Sequence, residues 1–134
     1  TTMPVNDQTQ QMLRYSNDGF PKVVDYLYNH FDEFKLLLTS GENSVYQEFI
    51  HRVVELDTEC TAKYIEASGN DAITSGRLTP ELNHLLSSAF YTGMFEVIIH
   101  DMPKAQALEH IRKMRRFYTA GWQTIFSTDG GDVV

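Results

Sequence analysis

Apolar residues return every three or four positions along most of this chain and almost nowhere alternate one in two, so the pattern predicts helices and no sheet. The first helix reads over residues 18–30, with Pro21 in its opening turn and Phe20, Val23, Val24, Leu27 and Phe31 on one face. The stretch FDEFKLLLTSG makes a short second helix that stops at Ser40 and Gly41. Ser44, with Gln47 three residues on, is a capping-box pattern that opens a long third helix running to about Gly69, where glycine suits a C-terminal cap. Residues 69–78, GNDAITSGRL, read as a loop. Thr79 followed by Pro80 matches an N-cap with a first-turn proline and starts a fourth helix, which Pro103 ends. A last helix runs from Pro103 to about Phe126. The predicted fold class is all-α, a bundle of five or six helices with short connections.

Helical phase, at ~100° per residue, then gives each side chain a direction. In the fourth helix Leu82, Leu85, Leu86, Ala89 and Gly93 form one stripe, and Glu96 and His100 continue it, so both are expected to face the core. Tyr91, Met94, Phe95, Ile98 and Met102 form a second apolar face. A helix that is apolar nearly all round is expected between two layers, and in a domain of this size one layer is expected to be a second subunit. In the third helix Tyr46, Phe49, Ile50, Val53, Cys60 and Tyr64 share a face, with Asp57 in its middle. Three ionisable groups, Asp57, Glu96 and His100, are thereby expected to point inward.

Burial of an isolated charge is costly, so such groups pair, bind something or line a wet cavity. Three readings stay open. In the first, Asp57 or Glu96 accepts a hydrogen bond from His100 in an internal network. In the second, the three anchor a polar group in an apolar pocket lined by Phe49, Val53, Cys60, Tyr64, Ala89, Phe90 and Gly93. The mid-helix Gly93 would make room for that ligand or for another helix. In the third, they bind zinc or a similar ion, although no metal is assigned on this spacing. Glu48 with His51, and Glu81 with His84, are Glu-x-x-His pairs of the type found in di-iron bundles, but both lie off the apolar stripes and are expected in solvent.

Composition narrows the function classes. With 134 residues, 42% hydrophobic and 22% charged, the chain is one globular domain without an apolar run of membrane-spanning length. A net charge of −7 opposes phosphate binding over the surface as a whole. The basic run Arg112–Arg116 reads as a solvated helix flank, with Met114 beside the core stripe. Cys60 is the single cysteine and reads as a small core residue; with no signal peptide in view, the expected location is the cytoplasm. No phosphate loop, nucleophile elbow or Cys-His pattern is present, so neither an enzyme nor a bound cofactor is expected.

Three segments, YLYNHFDEFKLLL, SVYQEFIHRVVELDTECTAKYI and LSSAFYTGMFEVIIHDMPKAQALEHIRKMRRFYTAGW, together resemble the C-terminal half of TetR/AcrR-family transcriptional regulators, over about Phe20 to Phe126. The closing part carries most of the likeness: a glycine-containing aromatic helix, the HDMP corner and an amphipathic helix ending FYTAGW. The resemblance implies an effector-binding and dimerisation domain at residues 20–127, preceded by a lead-in or linker at 1–19 and followed by a disordered tail at 128–134. It implies a homodimer in which the last two helices of each subunit form a four-helix bundle, with Tyr91, Met94, Phe95, Ile98, Met102, Phe117, Gly121 and Trp122 at the seam. It also implies a helix-turn-helix DNA reader, and the mixed apolar and acidic lining read from helical phase suggests a small, mostly apolar effector with a basic or hydrogen-bonding group. Nothing before Phe20 supplies that reader, so the chain reads as a fragment of a longer regulator. A helical dimerisation module without a ligand is the competing reading.

Overall fold

A computed structural model describes residues 21–40 and 43–127. The expected lead-in at 1–19 and tail at 128–134, and the side chain of the expected cap Ser44, lie outside the described residues. The chain is all-α, with no strand among the described residues. We number its helices α1 (residues 21–29), α2 (Phe31–Thr39), α3 (Asn43–Ser68), α4 (Pro80–Ile99) and α5 (Lys104–Phe126).

Local chemistry sets most of the boundaries. Thr79 caps α4 by accepting from the Leu82 amide at 3.1 Å, with Pro80 as the first helical residue. Gly69 follows α3 at φ 75°, a left-handed conformation that costs glycine little. At the end of α4 the Met102 amide donates to Val97 O (2.9 Å) and the Asp101 amide to Ile98 O (3.1 Å), the paired bonds of a Schellman cap. The left-handed residue here is Asp101, at φ 54°. Its carboxylate accepts from Lys35 Nζ at 2.5 Å, and the same ammonium donates to Ile99 O at 3.1 Å, so α2 helps to hold the corner. Tyr28 Oη donates to Met102 O at 2.7 Å and ties α1 to it as well.

Two apolar clusters fill the fold. The larger joins Val24 and Leu27 of α1, Leu38 of α2, Met94, Phe95, Val97 and Ile98 of α4, and Ala107 and Ile111 of α5. Phe49 of α3 packs its ring 5.4 Å from that of Phe95. The smaller joins Ile65, Ala72, Leu78 and Phe126, with Tyr64, Leu82, Trp122 and Ile125 against it. The loop between α3 and α4 closes this second cluster by serving the free carbonyls at the end of α5. Asn70 Nδ2 donates to Phe126 O (3.1 Å) and Arg77 Nε to Ile125 O (2.8 Å). Arg77 also meets Asp71 at 2.5 Å, which holds that carboxyl below the usual aspartate range.

Candidate functional site

The three ionisable groups expected to converge do not. Asp57 is half-buried and faces α4, where it accepts from Ser87 Oγ at 2.7 Å and Tyr91 Oη at 3.3 Å. Glu96 and His100 point outward instead, their side chains 49% and 69% exposed, and meet each other at 2.7 Å. The reason lies in α4 itself. Apolar on nearly every side, it offers two possible core faces, and the contact with α3 selects the one containing Tyr91, Met94, Phe95 and Ile98. Asn83 and Ser87 are consequently buried, while Leu85 is left 64% exposed. The inversion is stable because α3 supplies partners: Asn83 Nδ2 donates to Thr58 O at 3.2 Å, and Ser87 donates to Asp57.

The expected pocket lining disperses in the same way. Phe49 and Phe90 are half-buried against the larger cluster, Phe49 between Phe34 and Phe95 and Phe90 between Tyr91 and Tyr118. Val53 is half-buried on α3, and Tyr64 belongs to the smaller cluster. Ala89 is exposed, and so is Cys60, which corrects its reading as a core residue. Of the expected seam residues, Met94, Phe95 and Ile98 are at most 3% exposed and pack into the core of their own chain. Tyr91 and Met102 are half-buried against the same core, and Trp122 stacks on Phe126 at 5.7 Å. Phe117 and Gly121 are the two expected seam residues that do stand at the surface; Phe117 is 77% exposed.

Two features remain as candidate sites. The first is an open groove of about 520 Å³ between α4 and α5. Gly93, Val97, Met102, Met114, Phe117 and Tyr118 give it an apolar lining, and Glu96, His100, His110 and Lys113 supply ionisable groups. Gly93 leaves room for the end of the Met114 side chain, since a Cβ at this position would stand 3.0 Å from Met114 Cε. Three of the residues read as pocket-forming, Gly93, Glu96 and His100, line this outward-opening groove. The flanking helices differ in charge: α4 carries Glu81 and Glu96 with no Lys or Arg, whereas α5 carries Lys104, Arg112, Lys113, Arg115 and Arg116 against Glu109.

The second feature is the polar seam between α3 and α4. Burial, and then the charge of Asp57, push the Tyr91 phenol far above its ordinary range, so it stays a neutral donor. Arg115 of α5 lies near enough to act electrostatically on Tyr91, and burial lowers its own pKa. Sequence reasoning missed Ser87 and Asn83 altogether. The available signal was that Ser87 and Tyr91 stand one turn apart, a spacing that allows two hydroxyls to reach one carboxylate on a neighbouring helix.

Metal chemistry finds no prepared cluster, as no group of three or more His, Cys, Asp or Glu among the described residues is arranged to hold an ion. Both Glu-x-x-His pairs are exposed, although His51 and His84 bring their rings to 6.4 Å across α3 and α4. Among the described residues no helix is long and apolar enough to cross a membrane. No family model matches the chain, and no curated protein or solved structure is significantly similar to it.

Proposed function

We propose that this chain is the dimerising module of a TetR/AcrR-like regulator, joining a second copy through the outward faces of α4 and α5. The observation that carries the reading is Phe117, an aromatic ring left 77% exposed beside a groove large enough to receive a bulky apolar side chain. Leu85 adds a second exposed apolar residue on α4. Charge supports a pairing between unlike helices, because an acidic α4 set against the basic α5 of a second copy brings opposite signs together, whereas like against like opposes them. Gly121 has nothing within 4 Å of where a Cβ would stand, which leaves its backbone open to close approach.

In this reading the seam differs from the one expected from the sequence. It runs through Phe117, Gly121, Leu85 and the groove, and Met94, Phe95 and Ile98 form the intrachain support beneath it. DNA contact would belong to a helix-turn-helix outside this chain, with the two copies setting the spacing of two such readers. Light scattering on the eluting peak of a sizing column tests the proposal. The parent should run as a dimer and Phe117→Glu as a monomer with unchanged helical content. A parent that stays monomeric, or a Phe117→Glu variant that stays dimeric, removes it.

A further inference from the structure

We infer that His51 of α3 and His84 of α4 form a two-histidine binding site for a zinc-like divalent ion, which clasps the two helices together. Their ring centres lie 6.4 Å apart, and both residues are exposed, so an ion reaches them without opening the fold. Zinc bonds an imidazole nitrogen at about 2.0–2.1 Å, which leaves each ring centre roughly 3.2 Å from the ion. Two rings on one ion therefore have centres up to roughly 6.4 Å apart, closing to roughly 5 Å at a tetrahedral angle. The observed pair stands at the outer edge of that span, and rotation of the two exposed side chains closes it.

The helices beneath the rings are already fixed relative to one another. Asn83, the neighbour of His84, donates from Nδ2 to Thr58 O at 3.2 Å, and Ser87, three residues beyond His84, donates to Asp57 at 2.7 Å. The ion thus orders two side chains and no backbone, which keeps the entropic cost of binding low. Charge favours a cation here. Glu48 and Glu55 stand within a turn of His51, and Glu81 stands within a turn of His84, against the single cation Arg52. Glu55 Oε2 lies 3.9 Å from His51 Nε2. Imidazole nitrogen selects zinc, nickel or copper, whereas magnesium and calcium take oxygen ligands. No group of three or more His, Cys, Asp or Glu is arranged around an ion among the described residues, so water fills the remaining positions and the ion exchanges, unlike the closed four-ligand centre of a structural zinc.

Zinc chloride, with magnesium chloride as the oxygen-seeking control, tests the inference on the whole chain by titration calorimetry and thermal unfolding. Zinc should bind saturably and raise the unfolding temperature, a chelator should reverse the rise, and magnesium should do neither. Loss of an outer-shell partner costs a metal site roughly 10–100-fold, so loss of a direct ligand in His51→Ala or His84→Ala should weaken zinc binding by at least about tenfold. Both positions are exposed, and in chelator the two variants should unfold as the parent does. His100→Ala, which removes the histidine at the other end of α4, should bind zinc as the parent does. No saturable zinc binding, equal binding of magnesium, unchanged affinity in either His51→Ala or His84→Ala, or binding lost in His100→Ala would each overturn the assignment.

Discussion

Asp57 of α3 accepts a hydrogen bond from Ser87 of α4 at 2.7 Å, and this bond explains why a serine occupies the core face of a helix that turns Leu85 to solvent. A carboxylate set against two hydroxyls fixes the rotation of α4 more definitely than apolar contacts do, because apolar packing on this helix is satisfied in either of two orientations. Once that rotation is fixed, Glu96 and His100 fall outside and Met94, Phe95 and Ile98 fall inside.

The two acids should therefore respond very differently to removal. Asp57→Ala strands the buried Ser87 hydroxyl and the Tyr91 hydroxyl, and should lower unfolding stability by about 1–3 kcal/mol. Glu96→Ala removes an exposed pair and should change stability by no more than about 0.5 kcal/mol. Urea denaturation of both variants makes the comparison. Equal losses would contradict the seam as the element that orients α4.

Tyr91 predicts an alkaline dependence. Its folded pKa is raised, by burial first and by Asp57 second, so the folded state keeps a phenol proton that the unfolded chain releases near pH 10. The contribution is fully present below about pH 10 and is lost as pH rises through the folded value. Tyr28 and Tyr64 are raised by burial in the same direction and add to the fall. In Tyr91→Phe the loss of stability with rising pH should be clearly shallower than in the parent, as read from urea midpoints on either side of pH 10. Parallel curves would show that Tyr91 titrates freely in the folded chain.

Asp101 predicts a backbone effect. At φ 54° a β-branched residue is strained, so Asp101→Val should cost about 1–2 kcal/mol in thermal or chemical unfolding. Asp101→Gly fits the same backbone and loses only the bond to Lys35, at an exposed carboxylate. It should be the milder change, and the order of the two variants is the test.

Much of the fold was legible in the sequence because its boundaries are local. Thr79 and Pro80 state where α4 begins, and Gly69 marks the end of α3 through chemistry confined to a few neighbouring residues. The side of α4 that faces the core was not legible. Leu82, Leu85, Leu86 and Ala89 make as regular a stripe as Tyr91, Met94, Phe95 and Ile98, and phase alone does not choose between them. The choice depends on Asp57 and Thr58, more than twenty residues away in the chain, which give Ser87 and Asn83 their partners.

Self-association through α4 and α5 is the central claim, and sedimentation equilibrium over a concentration range of about a hundredfold tests it most directly. The parent chain of 15.4 kDa should rise toward twice that mass as concentration increases, and Phe117→Glu should hold the single-chain mass throughout. A parent that keeps the single-chain mass at every concentration would contradict it.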